Sequence, residues 1–100
     1  INEIPTAVYA ASQNRNITVA FRDYTGRNFG IAFRQESREY RNRVEEAIEC
    51  MKQDGTMARL HERWYGSAPE PNTSLTTVFP GFGPPGPPGF EDTPHTPRCS

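Results

Sequence analysis

Few side chains in this sequence are of types that do chemistry, and their spacing decides what each can do. Cys50 and Cys99 lie far apart, with no cluster of histidine or cysteine around either, so they fit no metal-ligand spacing. In an oxidising compartment the two could form a disulfide; otherwise they are two unrelated thiols, one on a helix and one near the chain end. His61 falls between apolar positions of a helical pattern, where a lone histidine is usually a surface or half-buried residue. His95, in Thr93-Pro94-His95-Thr96-Pro97, belongs to no recognised catalytic or metal-binding motif. Glu3, two positions before Pro5, sits where a helix should begin, and an acid there suits the positive end of the helix dipole. Asn2 beside it is a loop or capping residue, or a weaker polar contact for a ligand. No Ser/His/Asp triad, phosphate-binding loop or metal motif occurs, so no catalytic residue, metal or cofactor is expected.

The elements that must position these residues are legible from periodicity. In residues 37–54 the apolar positions Tyr40, Val44, Ala47, Ile48 and Met51 form one stripe of a 3.6-residue helix. Ser37 is a natural N-cap, and Gly55 stands where a left-handed residue would close the helix. A shorter helix follows from an N-cap at Thr56, carries Met57, Leu60 and Trp64 on one face, and ends at Gly66. That spacing assigns Trp64 to packing rather than to ligand stacking. The pairs Glu39–Arg43 and Arg41–Glu45 predict ordinary support of a solvated helix face. Upstream, Pro5 suits the first turn of a helix that ends near residues 14–16. Residues 17–21 and 28–33 read as strands, the second apolar enough to be covered on both faces. Two strands make no stable sheet, so the pattern predicts an α/β layer whose other strands belong to a larger fold.

The chain has 100 residues, formal net charge −1, and 11 basic against 12 acidic residues, which are interleaved. Such a surface is solvated and gives no sign of nucleic acid as a partner. No apolar run is long enough to cross a bilayer, and the start at Ile1 without Met predicts a processed, trimmed or cut chain. After Gly66 the composition changes: of 10 prolines only Pro5 lies earlier. This stretch predicts polyproline II and turns, not helix or central strand. Its Gly83-Pro84-Pro85-Gly86-Pro87-Pro88-Gly89 run is too short for a collagen triple helix, and no flanking basic residue marks an SH3-type ligand. An extended tail lying on the protein's own surface, with Phe79, Phe82 and Phe90 as anchors, is the expectation.

At the helix pair the sequence resembles a family. Phe29-Gly30-Ile31-Ala32, Asp54-Gly55-Thr56 and Arg63-Trp64-Tyr65-Gly66, in this order and spacing, are similar to the C-terminal section of bacterial extracellular solute-binding proteins of family 3, the periplasmic amino-acid receptors of ABC importers. The upstream run Asn2-Glu3-Ile4-Pro5-Thr6-Ala7-Val8-Tyr9 also resembles that family's pattern; the Pro-rich tail lies outside it. The resemblance implies an α/β fold, the C-terminal part of a two-lobed type II periplasmic binding protein. Residues 1–24 would end the second lobe, 25–29 form the hinge strand, 30–66 complete the first lobe, and 67–100 form a Pro/Gly-rich tail. It implies a non-enzymatic, periplasmic protein that captures a polar amino acid or related amine and meets ABC importer membrane subunits. The missing N-terminal portion of the same protein would be a further partner. Glu3 matches the position whose acid receives the ligand's ammonium group, although the family usually has Asp there. An alternative is a regulatory lobe attached to a wall-cleaving enzyme or a sensor kinase.

Overall fold

The computed structural model describes residues 2–26, 28–86 and 89–99. Its element order is α1 (Ile4–Gln13), a 3₁₀ turn (Gln35–Ser37), α2 (Arg38–Gln53), α3 (Thr56–Tyr65) and a second 3₁₀ turn (Ser74–Thr76). α3 packs against both α1 and α2. Pro5 lies in the first turn of α1, where its missing N–H leaves no donor stranded. Asn14 closes that helix.

The join between α2 and α3 is a single turn serving two helix ends. Gly55 is left-handed at φ 87°, and a Cβ there would lie 3.2 Å from Arg59 Nη1, so the position favours glycine. The predicted caps differ in detail. Gly55, not Thr56, is the N-cap of α3, and the Asp54 carboxylate accepts the Thr56 N–H at 2.8 Å. Ser37 makes no side-chain cap, because a 3₁₀ turn runs straight into α2. Gly66, at φ 80°, ends α3 by donating to Glu62 O at 2.9 Å.

The two expected strands do not form. Residues 17–21 and 28–33 are irregular, and Ile17, Phe21, Phe29 and Ile31 are all exposed. Polar contacts tie Asn28 and the link between the segments to residues 70–74. Arg22 pairs with Glu70, Tyr24 Oη donates to Glu70 at 2.6 Å, and Ser74 Oγ donates to Asn28 at 2.8 Å. A strand is a property of a ladder, and neither segment has a neighbour whose backbone could complete one. The only β-bridge among the described residues joins Phe82 to Glu91. The Pro-rich stretch therefore carries a bridge, and a proline-free run ahead of it winds the 3₁₀ turn Ser74–Thr76, braced by a Thr73–Thr76 capping box.

No apolar side chain is buried among the described residues. The accessible surface is 8189 Å², against about 5,700 Å² for a compact monomer of this mass. The Cα radius of gyration is 15.4 Å, against about 13 Å for a compact 100-residue domain. Trp64, assigned to packing by its spacing, is 56% exposed, with the Arg63 guanidinium 5.7 Å from its ring. The stripe that should seat α2 is only partly covered: Tyr40 is 59% exposed and Ala47 is exposed, while Val44, Ile48 and Met51 are half-buried.

Candidate functional site

Asn2 and Glu3 stand together at the N-terminus of α1. Glu3 is the N-cap by position: its carbonyl accepts the Ala7 N–H at 2.9 Å, while its side chain makes no cap hydrogen bond. The Asn2 Oδ1 accepts the Glu3 backbone N–H at 2.8 Å and so fixes the turn that presents the acid. Glu3 is exposed. A carboxylate held by a rigid helix start yet not consumed in capping is free to accept hydrogen bonds from a cation. A groove lined by Arg38, Asn42, Glu46, Phe82 and Arg98 lies elsewhere, on α2 and the tail.

The second set of chemical groups lies where the tail runs along α2. Arg41 donates to Gly89 O at 2.5 Å, and Asn42 Nδ2 donates to Glu91 Oε2 at 2.6 Å. Glu46 accepts the Arg98 backbone N–H at 2.5 Å and its Nε at 3.3 Å. These two bonds, the backbone one foremost, hold the Glu46 carboxyl below its ordinary range. Cys50 is disulfide-bonded to Cys99, with the Cα atoms 5.6 Å apart. The contacts follow the helix, so residues 89–99 lie alongside α2 and run in the same direction. Arg41 is thereby drawn to the tail, and the predicted ladder of Glu39–Arg43 and Arg41–Glu45 pairs gives way to these longer-range contacts.

The centre of this seam is His95. Its Nε2 lies 2.7 and 3.0 Å from the two Glu49 carboxylate oxygens, and its ring stacks on Phe82 with centroids 3.9 Å apart. Its backbone N–H donates to Pro80 O at 3.1 Å. Glu49 is fully buried. Burial alone would pull the His95 imidazolium down, but the Glu49 hydrogen bond and charge, helped by the Thr93 and Pro80 carbonyls, raise it above the usual histidine value. Burial pushes the Glu49 carboxyl up, opposed by His95. Lys52, depressed by burial against the pull of Glu45 and Glu49, donates to Thr77 O at 2.9 Å and lies 5.6 Å from the Phe79 ring centroid. Phe90 reaches Gly81, where a Cβ would come within 2.8 Å of the Glu91 carbonyl oxygen. A carboxylate–imidazole pair can act as a general base, but a fully buried Glu49 and a ring covered by Phe82 leave no room for substrate. Its chemistry is that of a clamp.

Sequence patterning did not place His95 and Glu49 together, because their separation hides any local signal. One cue existed. If Cys50 and Cys99 are joined, Glu46, one turn before Cys50, and Glu49, the residue next to it, come near the residues that precede Cys99. No bond links this seam to Asn2 or Glu3, and no group of histidine, cysteine and acid side chains among the described residues is arranged to hold a metal.

The sequence profile of the bacterial extracellular solute-binding proteins, family 3, matches residues 2–67. The L-cystine-binding protein TcyA of Bacillus subtilis (strain 168) is 33% identical over 55 residues, which is 55% of this chain. That stretch spans 20% of the relative's length. No solved structure matches. This chain belongs to family 3 of the bacterial extracellular solute-binding proteins.

Proposed function

We propose that this chain forms the closing portion of a receptor that captures a polar amino acid or related amine outside the inner membrane and passes it to the membrane subunits of an ABC importer. The observation that carries this reading is the family match over residues 2–67, which includes both Glu3 and the helix pair. The relative's name, an L-cystine-binding protein, supports an amino-acid ligand. Among the described residues no helix is long and apolar enough to cross a membrane, consistent with a role as the secreted partner of membrane subunits.

The physical state of α2 supports a place within a larger lobe. Its apolar stripe is left partly exposed, while Glu49 on its polar side is the residue fully buried. An amphipathic helix gains stability only when that stripe is docked, and burying apolar surface is worth about 25 cal/mol per Å². In the proposed complete fold, residues 30–66 lay this stripe, Trp64, and the exposed Phe29 and Ile31 against the sheet of the first lobe. Residues 17–21 and 28–33 become strands once the neighbouring strands of the two lobes are present. Residues 1–24 end the second lobe and residues 25–29 form the hinge, so that lobe closure brings Glu3 onto the ammonium group of the ligand. Calorimetry of the complete protein against a panel of amino acids that includes cystine tests the reading. Saturable binding of at least one member is expected; no heat of binding with any of them would overturn it.

A further inference from the structure

We propose that residues 89–99 are a thiol-controlled strap, clamped along α2 while Cys50 and Cys99 are joined and released when a dithiol reduces them. The strap concerns the polar face of α2 and does not depend on which ligand the receptor takes. At about 100° per residue, the tail-contacting positions Asn42, Glu46 and Glu49 centre on the side of the helix opposite Tyr40, Val44, Ala47 and Met51, and Arg41 and Cys50 flank that side at its two edges. Strap and lobe would therefore hold α2 from two sides, and release of one does not require release of the other.

The non-covalent contacts of this segment are of kinds that hold weakly by themselves. The Arg98 side chain is 88% exposed, so its pair with Glu46 is screened by water. The His95–Glu49 pair is buried, and much of its attraction is spent on desolvating two ions. No apolar side chain of the strap is buried. What keeps these groups together is the covalent link, which holds them at high effective concentration. Cut it, and the prolines at 94 and 97 favour an extended chain with no internal hydrogen bonds of its own.

The bond is open to attack from one end. Cys99 is exposed and Cys50 half-buried. The thiolate of an external dithiol attacks the Cys99 sulfur, forming a mixed disulfide and expelling the Cys50 thiolate, which takes a proton. The second thiol of the reagent then displaces Cys99 as a thiolate, which is protonated in turn. Two electrons pass from the dithiol to the cystine, the reagent leaves as its cyclic disulfide, and both cysteines end as thiols. Release uncovers Glu46 and Glu49 together, without the Arg98 and His95 cations that faced them, so the two carboxylates repel each other and favour the open strap.

Amide hydrogen exchange on the complete protein, oxidised and after dithiothreitol, at one pH, tests this. The reporters are the amides of Phe82, His95 and Arg98, bonded respectively to Glu91 O, Pro80 O and the Glu46 carboxylate. Reduction, verified by alkylation of two new thiols, should lower their protection at least tenfold while the amides inside α2 and α3 change less than threefold. Cys99→Ser should show the released pattern without reductant and no response to it. Unchanged protection after verified reduction would overturn the proposal. So would equal loss across all three helices, which would mean the bond only stabilises the fold at large. Two alkylatable thiols in the untreated protein would overturn it as well.

Discussion

Replacing His95 by Phe keeps an aromatic ring to stack on Phe82 and removes only the hydrogen-bonding, chargeable edge that faces Glu49. The Glu49 side chain is 1% exposed and the His95 side chain 14% exposed, so the carboxylate cannot turn to water while the disulfide holds the tail in place. Taking one partner from a buried ion pair costs about 3–5 kcal/mol, because the remaining charge is left uncompensated. The lower end applies here, since the carboxyl is already pushed up by burial and can take a proton instead. The expected loss is therefore about 3 kcal/mol in urea unfolding of the oxidised complete protein at about pH 6, where the His95 contribution is fully present, read with an unchanged m value. Combining His95→Phe with Glu49→Leu removes both ions and should recover stability to within about 1.5 kcal/mol of the parent. The single variant should also gain stability as pH falls toward 4.5. Its Glu49 has a folded value raised above the unfolded one, so the folded state binds the extra proton first. A loss below about 1 kcal/mol in the single variant, or a double variant no better than the single, would refute the reasoning that His95 compensates a buried Glu49 charge.

Two further outcomes follow from the same geometry. His95, raised above the ordinary 6.5, contributes stability that is fully present below that value and lost as pH rises through its folded one. The titratable groups that act on it are Glu49, which it bonds, and Glu46 on the same helix, while Glu45 and Lys52 act on Glu49. An NMR titration should give His95 a midpoint above 6.5, and Glu49→Gln should bring it down; a midpoint at or below 6.5 in the parent would contradict the pairing. Gly55→Ala places a Cβ 3.2 Å from Arg59 Nη1 at φ 87° and should cost about 1–2 kcal/mol. Thermal melts that show no loss would mean the turn between α2 and α3 relaxes.

What the sequence revealed and what it hid divide along the range of the interactions. α2 and α3 were legible because a stripe every third or fourth residue and a glycine at each break are local signals. Gly55 and Gly66 take the left-handed conformations that end helices. The caps were half legible: hydroxyls marked the right turns, but the acceptor at the start of α3 is Asp54, whose carboxyl is held low by the Thr56 hydroxyl and amide. Residues 17–21 and 28–33 carry β-branched and aromatic residues in strand-like runs, yet a ladder needs a second backbone that this chain does not supply. The polar face of α2 looked solvated because charged residues usually are. Its burial arises from a tail contact some 46 residues away in sequence. No window of neighbouring residues contains that information; only a paired Cys50 and Cys99 would have pointed to it.

The central claim is that this chain supplies the acid that grips the ammonium group of an amino-acid ligand. Titration calorimetry should compare the complete protein with its Glu3→Gln variant. Each is titrated with the best-bound amino acid and with the analogue that has a hydroxyl in place of the ammonium. Losing a charge-assisted hydrogen bond should weaken amino-acid binding by about 1.5–3 kcal/mol, or roughly 10- to 150-fold in Kd. The hydroxyl analogue should bind the two proteins within about threefold of each other, a difference of less than 1 kcal/mol. Equal affinity of both proteins for the amino acid would contradict the assignment of Glu3.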